Sequence, residues 1–242
     1  MPTPYDDGRG KTEQVRDMFD NIAPAYDLLN RAMSFGLDKS WRRKAVGFVK
    51  QSGAVDIVDI ATGTGDFAIS LAREIPQARI TGLDLSEGMV EIGRKKVEEA
   101  GLSKRISLLT GDCLRSPLPS GCADAITVAF GVRNFADLPA GYRAMKAMLR
   151  PGGTLCVLEL STPPNPVVRP FYNLYAGKVI PFMGRLISRD NRAYSYLPES
   201  IAAVPQADDM LALMRQAGFI NTSFQRLTFG VCTLYTAVTP DK

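Results

Sequence analysis

Hydrophobic residues in the middle of the chain follow two alternating patterns. Short apolar runs, typical of buried β-strands, are each followed by a segment whose apolar residues lie three and four positions apart, as on one helix face. The predicted strands are AVDIVDI, ARITGLDL, RISLLTGD, ADAITVAF and GTLCVLEL, and the predicted helices between them are GDFAISLAREI, SEGMVEIGRKKVEEA and LPAGYRAMKAML. Strands that alternate with helices predict βαβ units and therefore a parallel sheet.

Capping and turn residues mark several boundaries of these elements. Ser86 is placed to cap one helix, and the Pro-Gly-Gly turn at 151–153 precedes the fifth strand. Before the sheet, VRDMFDNIAPAYDLLNRAMS has helical spacing that is interrupted at Pro24. The segment DKSWRRKAVGFVKQ predicts a further helix with Asp38 or Ser40 as its cap. The chain therefore begins with helices that precede the sheet.

Residues 161–200 break the alternation and are rich in proline, aromatic residues and arginine. Because this segment keeps a high apolar content, it predicts an insertion that packs over the sheet rather than a linker. A helix that begins near Pro205 and ends at Gly218 follows, and two strand-like runs then flank Gly230. These runs predict a terminal β-hairpin.

Composition and charge exclude several classes of protein. Of the 242 residues, 45% are hydrophobic and 22% are charged, as in ordinary globular domains. The net charge of +4 is modest and no dense basic block occurs, so no nucleic-acid partner is predicted. The four cysteines are scattered without a CxxC pair, which predicts neither a metal site nor disulfides. No apolar run is long enough for a membrane helix, and we expect a cytoplasmic protein. Histidine is absent, which removes the commonest general base.

The loop VDIATGTGDFA joins the first predicted strand to the first predicted helix of the sheet. Gly63, Gly65 and Ala68 match the G-x-G-x-x-G/A spacing, in which glycines let a ligand approach the backbone at a helix N-terminus. Asp84 ends the second strand about 20 residues further on, where a carboxylate can accept both ribose hydroxyls. This pairing predicts a cofactor that contains adenosine; the alternative is a tight turn followed by a helix cap.

Neighbouring carboxylates bear on the choice between NAD and S-adenosylmethionine. Asp59 and Asp66 flank the glycine loop, where they would repel a pyrophosphate but suit a sulfonium. Asp112 follows the third strand, with Cys113 beside it, and is placed to accept the amine of an adenine; the alternative is a simple turn residue. The terminal hairpin and the Pro-Gly-Gly turn resemble class I methyltransferases, and this resemblance favours S-adenosylmethionine.

Four longer stretches resemble the quinone-biosynthesis C-methyltransferases, which methylate demethylmenaquinol and, in some bacteria, a ubiquinone precursor. They are FDNIAPAYDLLNRAMSFGLDKSWRR, FGVRN, LRPGGTLCVLELS and YSYLPESI, and the resemblance runs from about Val15 to the end. The sequence departs from the family pattern at Asp38, where a histidine is usual, at Leu29, where a methionine is usual, and at Ala129, where a polar residue is common. Any cofactor contact at Ala129 would therefore come from backbone.

The resemblance implies an α/β fold of class I S-adenosylmethionine-dependent methyltransferases, with a Rossmann-like seven-stranded sheet and a terminal β-hairpin. It implies a single domain made of an N-terminal tail and helical cap (1–52), a cofactor-binding core (53–160), a substrate-side insertion (161–200), and a final helix and hairpin (201–242). The predicted cofactor-binding residues are Asp59, Gly63, Thr64, Gly65, Asp84, Leu85, Asp112, Cys113 and Ala129.

Methylation of a quinol ring carbon requires a stabilised phenolate next to that carbon. Arg133 follows the fourth strand at its carboxyl end, where ligands bind in open α/β sheets, and Asn134 can add a hydrogen bond. Arginine is too basic to accept the proton itself, so the base remains a carboxylate, a tyrosine or solvent. The alternative for Arg133 is a surface ion pair with a carboxylate such as Asp137.

The substrate implied by the resemblance is a lipid-soluble quinol. The segments MFDNIAPAYDLLNRAM and YNLYAGKVIPFMGRLI are the candidates for its pocket, because their aromatic and aliphatic residues suit a flat ring and an isoprenoid tail. Interleaved basic residues lead us to expect a peripheral contact with the inner face of the membrane, through Arg169, Lys178, Arg185 and Arg189. A homodimer is left open. The alternatives are a methyltransferase for another aromatic or small molecule, an NAD(P)-dependent oxidoreductase, and a non-catalytic binder.

Overall fold

The computed structural model of the protein describes residues 2–5, 7–180 and 191–241. Seven strands form one sheet in the order β3-β2-β1-β4-β5-β7-β6. The strands are β1 (Asp56–Ile60), β2 (Arg79–Asp84), β3 (Ile106–Thr110), β4 (Ala123–Ala129), β5 (Leu149–Leu160), β6 (Ile220–Leu227) and β7 (Cys232–Val238). Strands β1 to β5 pair in parallel, whereas β7 is antiparallel to both β5 and β6. The predicted parallel sheet and terminal hairpin are confirmed.

Helices cover both faces of the sheet and precede it. They are α1 (Lys11–Ile22), α2 (Tyr26–Met33), α3 (Leu37–Gln51), α4 (Asp66–Glu74), α5 (Glu87–Glu99), α6 (Leu138–Met148), α7 (Val168–Leu174), α8 (Asn191–Ala203) and α9 (Asp208–Gln216). The interruption predicted at Pro24 is a single tight turn at Ala23–Ala25 between α1 and α2. One turn of π-helix, Tyr175–Val179, extends α7. Ser86 caps α5 as predicted, since its hydroxyl accepts a hydrogen bond from the Met89 N–H.

Three predicted boundaries are wrong. Helix α3 begins at Leu37 after Gly36, so neither Asp38 nor Ser40 caps it. The Asp38 carboxylate instead accepts hydrogen bonds from Ser34 and, inside the helix, from Arg42. Strand β5 begins at Leu149 and contains the Pro-Gly-Gly segment as an irregularity in its pairing with β4. Helix α9 begins at Asp208 rather than near Pro205.

The buried core lies on both faces of the sheet. One cluster packs α3, α4 and α5 against the sheet through residues such as Trp41, Phe67 and Leu71, and a second packs α6 and α9 against the other face. A third cluster joins α1 and α2 to the insertion, through Met18, Leu29 and Tyr196. The N-terminal helices and the insertion therefore share a core above the carboxyl ends of the parallel strands.

The central strands carry the apolar contacts on which folding depends. Leu155 of β5 is fully buried, so Leu155→Ala should lower the free energy of unfolding by about 2–5 kcal/mol, measured by urea denaturation. The exposed Ile220 of β6 is the control, because Ile220→Ala should change it by no more than about 0.5 kcal/mol. Equal effects of the two changes would contradict this account of the core.

Candidate active site

An open cavity, with about 740 Å³ of empty space that includes open solvent, lies at the carboxyl ends of β1, β2 and β4. Helix α1 covers it with Thr12, Val15 and Phe19, and Tyr26 of α2 completes the cover. Six of the nine predicted cofactor residues line this cavity: Gly63, Asp84, Leu85, Asp112, Cys113 and Ala129. Residues that are far apart in the sequence thus meet in one place, as expected where the strand order reverses in an open parallel sheet.

Asp84 is fixed by the backbone on either side of it. Its Oδ2 accepts a hydrogen bond from the Gly63 N–H at 2.7 Å, and its Oδ1 accepts one from the Ser86 N–H at 2.9 Å. Burial raises the pKa of Asp84, although these two N–H groups oppose the shift. Each oxygen has a further lone pair, so this carboxylate can accept the two hydroxyls of a ribose.

Asp112 and Cys113 follow β3, next to the end of β2 that carries Asp84, and line the same cavity. Asp112 Oδ1 accepts a hydrogen bond from the Leu114 N–H at 2.9 Å. Among the described residues no donor reaches its Oδ2, which can therefore accept an adenine amine. Burial, followed by the charge of Asp112, raises the pKa of the Cys113 thiol to about 12, so the thiol stays neutral. Cys113 would contribute apolar surface beside a bound adenine ring.

Asp59, Thr64 and Gly65 do not line the large cavity. Asp59 is 1% exposed, and its carboxylate accepts hydrogen bonds from the hydroxyls of Thr62 and Thr127, both at 2.6 Å. Burial raises the pKa of Asp59 to about 6, against the effect of these bonds. The Thr64 hydroxyl donates to Asp27 at 2.6 Å. Gly65 adopts a φ of +78° as it starts α4. These residues support the conformation of the glycine loop but do not face the large cavity.

Arg133 lies in a single helical turn after β4, Val132–Asn134, here named the Arg133 turn. The guanidinium is buried and donates through Nη1 to Glu159 Oε1 at 2.8 Å, and the Arg133 N–H donates to Glu159 Oε2 at 3.2 Å. The alternative pairing with Asp137 is wrong, because Asp137 caps α6 by accepting from the Ala140 N–H. Burial opposes the charge of Arg133, but Glu159 raises its pKa above the usual value.

One donor of this guanidinium has no partner. Within the described ranges, Arg133 Nε is the buried side-chain nitrogen or oxygen that lacks a hydrogen bond. Arg133 borders a second open cavity, here called the apolar cavity, with about 660 Å³ of empty space that includes open solvent. Its lining is mainly apolar and includes Met33, Trp41, Tyr172 and Leu197. An unpaired buried N–H is costly, and a hydrogen-bond acceptor that reached Nε would satisfy it.

Tyr26 lies where the two cavities meet, and Asn134 lies on the cofactor side only. Asn134 lines the large cavity, and its Oδ1 accepts a hydrogen bond from the Tyr196 hydroxyl at 3.2 Å. The amide nitrogen of Asn134 can therefore donate to a different acceptor. Tyr26 borders both the large cavity and the apolar cavity. Burial raises the pKa of Tyr26, with Arg133 acting in the opposite direction. Tyr26 therefore separates the two spaces.

Sequence reasoning missed Glu159 and did not single out Tyr26 or Tyr196. The signal for Glu159 was present: it is the one carboxylate in the otherwise apolar run TLCVLEL. A charge in a central strand is seldom retained without a partner, and Arg133 is that partner. Tyr26 and Tyr196 carry no comparable signal, since each lies in a helical segment where an apolar or aromatic residue is expected.

The residues of the large cavity fit an adenosyl group. Two carboxylates are held for the ribose and the adenine amine, and apolar side chains such as Leu83, Leu85 and Leu114 bound the space between them. None of the described residues that line the cavity is lysine or arginine, so no side chain there would bind a pyrophosphate. The donor set suits S-adenosylmethionine better than a dinucleotide.

Solved structures define the class. A SAM-dependent methyltransferase from Thermotoga maritima superposes with a TM-score of 0.62 at 18% identity, covering 92% of this chain and 99% of that one. The cyclase SpnF superposes with a TM-score of 0.68 at 18% identity, covering 100% and 99%. The fold is that of the class I S-adenosylmethionine-dependent methyltransferases.

Sequence relatives define the family. The model of the ubiE/COQ5 methyltransferase family matches residues 8–239, and the chain belongs to that family. The demethylmenaquinone methyltransferase of Bacteroides fragilis is 49% identical over 97% of this chain and 96% of its own length. The ubiquinone/menaquinone biosynthesis C-methyltransferase UbiE of Geobacter sulfurreducens is 43% identical over 93% of this chain and 88% of its own length. S-adenosylmethionine is therefore the cofactor.

The position of Asp84 generates a prediction about cofactor affinity. Asp84→Asn should weaken S-adenosylmethionine binding by about 2–4 kcal/mol, because an amide replaces a charged acceptor for the ribose and for the Gly63 N–H. Isothermal titration calorimetry measures this change. The control is Asp209→Asn, at an exposed position of α9, which should leave the affinity unchanged. Unaltered affinity in Asp84→Asn would contradict the assignment.

Proposed function

We propose that the protein transfers a methyl group from S-adenosylmethionine to a ring carbon of demethylmenaquinol, giving menaquinol. The observation that carries the proposal is the buried Arg133, which lines an apolar cavity beside the cofactor cavity and whose Nε has no hydrogen-bond partner. Relatives that are 41–49% identical bear the name demethylmenaquinone methyltransferase, which supports the same substrate. Relatives named for both quinone pathways make a ubiquinone precursor the second substrate to assay.

The second cavity suits such a substrate. Its aromatic and aliphatic lining can surround a flat ring system and the start of an isoprenoid tail. Tyr26 borders this cavity and the cofactor cavity together, so a ring bound against it would lie next to the reactive end of the cofactor. Positioning of this kind lowers the barrier for a bimolecular transfer.

Bound S-adenosylmethionine supplies an electrophilic methyl group. Arg133 and Asn134 would donate hydrogen bonds to a quinol oxygen and favour its ionised form, which raises the electron density at the neighbouring ring carbon. The methyl group would pass from the sulfur of the cofactor to that carbon, and the ring would then lose its proton to regain aromaticity. The protein's contribution is thus to ionise and orient the quinol.

The tyrosines near the Arg133 turn are poor proton acceptors. Burial raises the pKa of Tyr172 and of Tyr196 to about 12, so both stay protonated at neutral pH. Glu159 is occupied by Arg133 and by the Leu160 N–H. With histidine absent from the chain, water held at the Arg133 turn is the best remaining acceptor.

Exposed apolar side chains surround the apolar cavity. Phe35, Phe171 and Phe229 are 73–78% exposed. The Phe35 ring contacts Tyr175, Phe171 precedes Tyr172, and Phe229 adjoins Thr228, whose hydroxyl accepts from Trp41. Tyr172, Tyr175 and Trp41 all line the cavity. We infer that this aromatic rim, defined as Phe35, Phe171 and Phe229, touches the membrane from which the quinol is taken.

Of the four basic residues predicted from the sequence for this contact, the two that the structure describes, Arg169 and Lys178, are exposed. Arg169 donates to the Pro163 carbonyl at 3.2 Å, and Lys178 lies in the π-helical turn. Arg185 and Arg189 lie outside the described residues. Nor do any of the helices in the described ranges combine the length and apolar character that a membrane crossing requires.

Arg133→Gln tests the proposed function. In an assay with methyl-labelled S-adenosylmethionine and a short-chain demethylmenaquinol under reducing conditions, wild type should label the quinone, and the variant should be about 100- to 1000-fold slower. Cofactor affinity should stay within about twofold, because Arg133 does not line the cofactor cavity. The control is Arg43→Gln, at an exposed position of α3. No label with wild type, or full activity in Arg133→Gln, would refute the proposal.

The aromatic rim generates a separate prediction. The triple change Phe35→Ser, Phe171→Ser and Phe229→Ser should reduce co-sedimentation with liposomes of anionic lipid, since each exposed ring contributes apolar area to the contact. Turnover of a water-soluble short-chain quinol should be unaffected. Ile220→Ser, an exposed apolar position on β6, is the matched control. Equal sedimentation of wild type and triple variant would exclude the rim as the contact.

A further inference from the structure

Lys11, the first residue of α1, reaches the Arg133 turn. Its Nζ donates a hydrogen bond to the Arg133 carbonyl oxygen at 3.1 Å. Thr12, the next residue of α1, lines the cofactor cavity, as does Asn134 on the turn. The Lys11 ammonium therefore lies just behind the cavity wall, beside the residues proposed to bind the quinol oxygen.

The charges at this turn do not balance. Lys11 and Arg133 contribute two positive charges, and Glu159, which is 1% exposed, contributes one negative charge. That carboxylate already accepts from the Arg133 side chain, the Arg133 N–H and the Leu160 N–H. Among the described residues no carboxylate forms a salt bridge with Lys11. The cluster has one uncompensated positive charge.

The positive charge of Lys11 destabilises the folded state. Burial, followed by repulsion from Arg133, lowers the pKa of Lys11 from 10.5 to about 8. At neutral pH the side chain is still mainly protonated, so the fold retains an ammonium where neighbouring groups disfavour it. Such groups cluster at functional sites, and a bound anion would relieve the imbalance.

We propose that Lys11 supplies the uncompensated positive charge that stabilises the ionised oxygen of the quinol. The inference rests on the proposed function, because it names a quinolate as the anion. Lys11 acts through the turn and through space rather than by touching the substrate, so it is a positioning residue. Glu159 neutralises the charge of Arg133, so the net positive charge of the cluster comes from Lys11.

A purely structural tether predicts something different. If Lys11 only fastened α1 to the turn, Lys11→Met would lower the melting temperature of the protein and weaken all ligands alike. If Lys11 supplies charge, the same change removes an unfavourable ammonium, and the melting temperature at pH 7 should be unchanged or higher. Because the folded-state pKa is the lower one, the penalty on wild type is full below pH 8 and fades as the pH rises toward 10.5.

Ligand-binding measurements, which need no turnover, distinguish a charge role of Lys11 from a purely structural role. The probes are 2-hydroxy-1,4-naphthoquinone, whose hydroxyl is ionised at neutral pH, and the neutral 1,4-naphthoquinone. Trp41, the single tryptophan of the chain, lines the apolar cavity and reports binding by fluorescence quenching. Lys11→Met should lose about tenfold in affinity for the anionic probe and less than about twofold for the neutral probe. Lys11→Arg should retain the affinity, and Lys44→Met, at an exposed lysine of α3, is the control.

The pH dependence adds a second readout. As the pH rises from 7 to 9, wild type should lose its preference for the anionic probe as Lys11 is deprotonated, whereas Lys11→Arg should keep it. Equal losses for both probes in Lys11→Met, no loss for either, or no anionic preference in wild type would overturn the role of Lys11. Failure of the proposed function itself would appear separately, as the absence of label in demethylmenaquinol with wild type.

Discussion

The buried ion pair between Arg133 and Glu159 is the interaction around which the site is arranged. The guanidinium is 6% exposed and the carboxylate 1% exposed, so neither charge could remain there without the other. Removing one partner of such a pair typically costs about 3–5 kcal/mol, because the remaining charge stays buried. The pair also joins the carboxyl ends of β4 and β5, and it fixes the backbone of the Arg133 turn through the Arg133 N–H. Every proposed contact with the quinol oxygen depends on that turn.

Other parts of the fold hold the same turn. Lys11 of α1 binds its carbonyl, and Tyr196 of α8 binds the Asn134 side chain. The N-terminal helices, which precede β1, and the insertion, which follows β5, thus converge on the Arg133 turn. The N-terminal helices and the insertion also share the third core cluster, which packs beside the apolar cavity. Substrate cavity and charge cluster are therefore built from the same elements.

Much of this arrangement could be predicted from the sequence. The alternation of strand-like and helix-like apolar periods predicted the parallel sheet. Gly63 follows one strand and Asp84 ends another, and the carboxyl ends of parallel strands meet at one edge of such a sheet. Both residues line one cavity for that reason. What was missed depends on contacts between distant segments. The pairing of Arg133 with Glu159 rather than Asp137 is set by the register of β4 and β5, and local spacing favoured the nearer carboxylate. Asp38 was wrongly predicted as the cap of α3. The helix begins at Leu37, and Gly36 is its N-cap.

The fold alone leaves the reaction open, since a cyclase shares it over the whole chain. The central claim is that the Arg133 turn directs methyl transfer to carbon by stabilising the quinolate. The most direct test is a single turnover with methyl-¹³C S-adenosylmethionine and a short-chain demethylmenaquinol, followed by carbon NMR of the extracted quinone. A labelled methyl group bonded to the ring carbon is the predicted result. A labelled methoxyl group, with the label on oxygen, would contradict it.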